Sequence, residues 1–272
     1  MTIDWSRLAK PQVDGYDTLV IQEAAASKYA YRKKSPEGPA WLDGAVQLSN
    51  QLQPPSGGLS PAGFDHPSLV SAEQYLSLWP ECYAQAQCLL QVIFIFDAPQ
   101  FSGARGCFCG TSPRQAGREH LEDGAPFGEV FSTLFDPVGF VEGIVHEMAH
   151  WKLHALGIHF ERWDDRLLLN GTEELFESSI RKDKPRPMGA VLHAHWVCLH
   201  VLAVELVATK LRAAERDSDV PIIDAAAARV CAGRSTIEVG ARRSQFGNEL
   251  WDGMQSWTKE LLASADAFLR SA

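Results

Sequence analysis

The sequence predicts a mainly α-helical protein with a small β component, an α+β arrangement in one domain spanning residues 1–272. Three observations lead there. A delimited helical segment ends in "FVEGIVHEMAHWKLHALG" (140–157). A nearly all-apolar run, "AVLHAHWVCLHVLAVELVATKLR" (190–212), reads as a buried helix. The tail carries two further helical patterns, about 219–231 and 235–270, the second with apolar residues recurring at three and four. Strand patterns are too few for a jelly roll.

Taken in order, the first fifty residues mix short helical patterns with turns. "QPPSGGLSPAGFDHP" (53–67) has the Pro, Gly and Ser content of a loop. "SLVSAEQYLSLWPECYAQAQCLL" (68–90) reads as helix broken near Pro80, because proline removes a donor and clashes with the preceding turn. "QVIFIFDAP" (91–99) is β-branched and aromatic and reads as a buried strand. "SGARGCFCGTSPRQAGREHLEDGAP" (102–126) reads as a long loop. The helix that follows has Asp136 as a cap, Pro137 at its first position and Gly157 as a left-handed stop. Between them Val138, Val141, Ile144, Val145, Met148, Ala149 and Leu153 supply apolar faces, and this helix is expected to pack against the later buried one. "NGTEELFESSIRKDKPRPMG" (170–189) runs into an extended, proline-bounded piece.

Composition narrows the function classes. The chain has 272 residues, enough to bury a substantial core, with 46% hydrophobic and 22% charged residues. A net charge of -9 argues against nucleic acid as a partner, since phosphate binding needs a basic surface. The N-terminus lacks a basic start followed by an apolar run, and no window approaches 18 consecutive apolar residues, so a cytoplasmic chain without a membrane partner is expected. Cysteines 82, 88, 107, 109, 198 and 231 read mostly as buried reduced thiols. Cys107 and Cys109 form C-x-C, but no second pair lies nearby to complete a thiolate site. Asn170-Gly171-Thr172 matches a glycosylation acceptor and reads as a turn.

The chemistry lies in His146, Glu147 and His150, an H-E-x-x-H set. Residues four apart on a helix differ by about 40° in direction, so both imidazoles point one way and can hold one metal. Glu147 lies about 100° round from His146, within reach of the same ion's surroundings. His154 sits roughly 12 Å along the axis from His146, too far to share the ion, and reads as a core or supporting group. A third ligand has two sources. One is the acidic group Glu173, Glu174 and Glu177. The other is His193, with His195 beside it, at the head of the apolar run, where a buried imidazole needs a partner. His195 and His200 read as core or supporting groups, and Trp151, Phe160, Trp163 and Trp196 as core aromatics.

The order "VHEMAHWKLHAL", then "SSIRKDKPRPMGAVLHAHW", resembles the HExxH-type 2-oxoglutarate-dependent peptide β-hydroxylases that act on ribosomally made, modified peptides. The resemblance covers roughly residues 127–200 and rests on the combined order of H-E-x-x-H, Arg181, Arg186-Pro187 and Leu192-His193. Ile180 stands where that family has Trp. The resemblance implies an Fe(II) site held by His146, His150 and His193, with Glu147 as an added ligand or an orienting group. It implies 2-oxoglutarate as co-substrate, its far carboxylate held by Arg186 or Arg181. Dioxygen and a peptide or small-molecule substrate complete the set. The competing reading from the motif alone is a zinc metallopeptidase with Glu147 as general base and a downstream glutamate as ligand.

Overall fold

The computed structural model describes residues 2–28, 38–51, 58–97, 109–111, 127–158, 166–180, 183–212 and 216–271. The fold is mainly helical with a small mixed sheet, and no jelly roll is present among these residues. The chain divides into two compact units, one of residues 21–151 and one of residues 1–20 with 152–272.

The first unit is built on the sheet. Its strands are β1 (Ala40–Trp41), β2 (Val46–Ser49), β3 (Ser60–Pro61), β4 (Val92–Asp97), β5 (Cys109–Thr111) and β6 (Glu129–Thr133). The order is β1-β2-β4-β6-β5, with β3 beside the end of β4. Strands β2, β4 and β6 run parallel, while β1 and β5 lie antiparallel on the flanks. The parallel step from β2 to β4 requires a crossover, which α2 (Pro67–Ser77) and α3 (Pro80–Leu89) supply. Pro80 both ends one helix and starts the next, as the sequence suggests. Strand β4 is buried on both faces, which is why it reads as an unbroken apolar run. Leu59, Val92, Phe94, Phe96 and Phe131 cluster on one face, and fully burying each such side chain is worth roughly 1.5–3 kcal/mol. Helix α4 (Pro137–Ala155) leaves this unit and ends in the other.

The second unit is helical. It holds α5 (Met188–Ala208), α6 (Arg216–Gly240), α7 (Gln245–Ser271) and a 3-10 turn at Trp5–Leu8. The remaining helix, α1 (Tyr16–Ala26), runs across the boundary at residues 20 and 21. Helix α5 is long and apolar enough to cross a membrane, yet 89% of that window is buried inside the protein. The 3-10 turn lies on α7, where a Cβ on Gly253 would stand 2.1 Å from the Ser6 carbonyl oxygen. A two-stranded ribbon joins β7 (Leu175–Phe176) to β8 (Arg186–Pro187). The turn at Asn170 is a fastener rather than an exposed acceptor. Asn170 is 1% exposed, donates to Gly240 O and accepts from Arg242 N.

Several expectations are corrected here, beginning with residues 60–61, which form β3 inside the expected 53–67 loop. Residues 109–111, inside the expected long loop, form β5. The tail helices meet at 240–245, not near 231–235. Gly233 stays helical because α6 packs there against His195 and Ser179, where a Cβ would stand 2.8 Å from His195 Nδ1. The cysteines are also less uniform than expected. Cys82 and Cys198 are buried, Cys88 and Cys231 exposed, and Cys109 lies between. Cys107 falls outside the described residues.

Candidate metal centre

Helix α4 fixes the motif because both its ends are closed. Asp136 Oδ1 accepts from Gly139 N at 2.7 Å, satisfying one of the free donors of the first turn. At the other end Gly157 has φ 88. Its N–H donates to His154 O, and Ile158 N donates to Leu153 O. This pair of bonds closes the last carbonyls of the helix. Val138, Val141, Ile144, Val145, Met148, Ala149 and Leu153 are all buried, so the helix cannot rotate without exposing them.

On that helix the His146 and His150 ring centroids lie 4.7 Å apart with planes inclined at 66°. Glu147 Oε1 stands 3.8 Å from His146 Nε2, with the His146 side chain 30% exposed and that of Glu147 6%. Desolvation lowers the His146 pKa from its ordinary value to about 4. The imidazole is therefore neutral at neutral pH, with a lone pair free for a metal. Its exposed edge leaves a path from solvent. Strand β5 adds a third side chain: ligand atoms of Cys109, His146 and Glu147 all lie within 4.8 Å of one another. An imidazole, a carboxylate and a thiol at this spacing are a donor set suited to a divalent transition ion, and neither His150 nor His193 belongs to this group.

The other candidates lie in the helical unit. His193, on α5, is fully buried, and its ring meets that of His154 edge-on at 5.3 Å. His154 is one turn past His150 on α4. The expected packing of the motif helix on the later buried helix is present in this last turn, through His154 with His193 and Lys152 with His200. Arg186, in β8, stands 3.9 Å from Asp183, and its buried Nε has no hydrogen-bond partner among the described residues. Arg181 lies outside the described residues, as do Phe160 and Trp163. Glu174 is committed elsewhere. Its two oxygens accept from Arg242 at 2.7 and 2.5 Å, and one also accepts from Gly171 N. The Arg242 guanidinium, followed by Gly171, holds its carboxyl below the usual range. Glu177 lines a separate cavity of about 560 Å³ with Ser179, Asp183, Lys184 and Thr236.

Trp151 and Trp196 are core residues, both 0% exposed. His195 is buried too, and desolvation, then the nearby Arg234 charge, lowers its pKa to about 3. His200 is a supporting group: its Nδ1 lies 2.9 Å from Trp196 O and its Nε2 2.9 Å from Lys152 Nζ. Sequence reasoning gave Cys109 little weight and did not single out Lys152. A cysteine four residues before Pro113, in a loop rich in Gly and Ser, carries no periodic signal of a strand. Comparison of the chain with protein-family models and with curated proteins finds no match.

Proposed function

We propose that the protein is an iron(II)- and 2-oxoglutarate-dependent oxygenase that hydroxylates a side-chain carbon of a peptide or a related small metabolite. The observation that carries this reading is the paired imidazoles of His146 and His150, 4.7 Å apart on a helix closed at both ends. His193 is the proposed third imidazole. It is fully buried near the head of the apolar helix α5.

When bound, iron(II) and 2-oxoglutarate supply the oxidation, with dioxygen consumed as the keto acid becomes succinate and carbon dioxide. The chain's own residues do the rest. His146, His150 and His193 would hold the ion through their imidazole nitrogens. Glu147, nearly buried beside His146, would serve as an added ligand or as a hydrogen-bond acceptor that orients a neighbouring group. Arg186 supplies a guanidinium whose Nε has a hydrogen bond left to give, which suits the far carboxylate of the keto acid. Arg181 shares this proposed role.

The engagement of Glu174 by Arg242 weighs against the zinc peptidase that would recruit it. The deciding experiment uses protein purified without oxygen and reloaded with iron(II). Succinate should form from 2-oxoglutarate once dioxygen is admitted, and His193→Ala should abolish it. Absence of succinate together with zinc-dependent peptide cleavage would defeat the proposal.

A further inference from the structure

We infer that Cys109 is a further metal ligand of this site, delivering a thiolate from edge strand β5. The inference rests on the metal reading of α4 and adds a donor that the H-E-x-x-H pattern does not contain.

The backbone aims the side chain. In β5, Gly110 stands opposite Phe131 of β6 and Cys109 opposite Ser132. A Cβ on Gly110 would lie 2.5 Å from the Phe131 ring. Only glycine lets the strand lie flat on the aromatic cluster there, so the register of β5 is fixed at that point. Side chains alternate along a strand. Since Gly110 faces the Phe131 cluster, Cys109 faces the opposite side. There its sulfur comes within 4.8 Å of ligand atoms of His146 and Glu147. Strand and helix thus approach the same point from two directions.

The chemistry follows from the donor. A thiol holds its proton at neutral pH, and a divalent ion displaces it, so binding releases one proton to solvent as the sulfur–metal bond forms. The thiolate is softer than imidazole or carboxylate. It raises affinity most for thiophilic ions such as cobalt(II) and zinc and contributes least for magnesium or manganese. A protein with this ligand would hold its ion against weak chelators.

The test uses full-length, reduced protein titrated with cobalt(II) under argon. Wild-type protein should show a thiolate-to-cobalt charge-transfer band in the near ultraviolet together with the visible ligand-field bands. Cys109→Ser should keep the ligand-field bands and lose the charge-transfer band, with affinity at least about tenfold weaker. Cys88→Ser and Cys231→Ser should leave both unchanged. Independently, cobalt or zinc should protect Cys109 of wild-type protein from alkylation, read by mass spectrometry of its peptide, so the result stands even if Cys109→Ser folds poorly. Cobalt bound without the charge-transfer band, or a band that survives Cys109→Ser, overturns the role of Cys109 and leaves the histidine site standing. No cobalt bound at all overturns both.

Discussion

Lys152 Nζ lies 2.9 Å from His200 Nε2, and both side chains are fully buried. His200 Nδ1 sits 2.9 Å from the Trp196 carbonyl oxygen, so Nδ1 carries the proton and donates. That leaves Nε2 to accept from the lysine. A lysine removed from water in this way is tolerated only with such a partner. Lys152→Met keeps the volume and removes the donor 2.9 Å from His200 Nε2. A loss of about 1–3 kcal/mol in unfolding free energy is expected. Adding His200→Leu should cost less than the sum of the two single changes. Additive denaturant midpoints would contradict the pairing.

Acid should unfold the protein through its buried histidines. Desolvation first, then Arg234, holds His195 to about 3, and desolvation holds His146 to about 4. Unfolded, both titrate near the ordinary histidine value of roughly 6.5. Below that value the unfolded chain binds more protons than the folded one, so stability falls with pH. The loss runs from about 6.5 down to the folded values, at no more than about 1.4 kcal/mol per pH unit per histidine. His195→Leu cannot titrate and should flatten the acid limb. Urea midpoints at neutral and mildly acidic pH, compared between the two proteins, measure it. Equal slopes would show that His195 is not held neutral.

Much of this architecture could be read from residue order alone. Helix α4 was legible because its cap, its proline and its terminal glycine all adjoin an apolar stripe, and the three signals agree. Helix α5 was legible because it is apolar all round. Strand β5 was not, because three residues become a strand only through pairing with β6. The α6–α7 break was misplaced for a related reason. Gly233 looks like a helix stop, but tertiary packing against His195 overrides its weak propensity. In the site, the pair four apart follows from helix geometry. Cys109 sits 37 positions before His146 in the chain, and no local pattern links them.

Glu174 is expected to behave as a structural carboxylate. Its oxygens bind Arg242, Asn170 and Gly171, which ties the 170–174 turn to the end of α6. Its depressed pKa means that this contribution is present at neutral pH and is lost as pH falls through the carboxylate range. Glu174→Ala should lower the melting temperature at neutral pH, have little effect in strong acid, and leave bound metal per chain unchanged. Loss of metal from an otherwise folded Glu174→Ala protein would reopen the peptidase reading.

The histidine pair can be tested without any substrate. His146 and His150 sit on the face of α4 with the exposed ring edge, while the apolar residues between the caps hold the helix. His146→Ala and His150→Ala should therefore keep the far-ultraviolet circular dichroism of the parent. Each should weaken metal binding by more than the roughly 10–100-fold that loss of a supporting partner costs. Calorimetric titration of chelator-stripped protein with zinc or iron(II) under argon gives the affinities. His154→Ala is the control, because that residue lies one turn further on and meets His193 rather than the ion in the proposed arrangement. It should shift affinity far less than either member of the pair. If His154→Ala matched them, the ion would sit nearer the end of the helix than His146, and the H-E-x-x-H spacing would have misled the assignment.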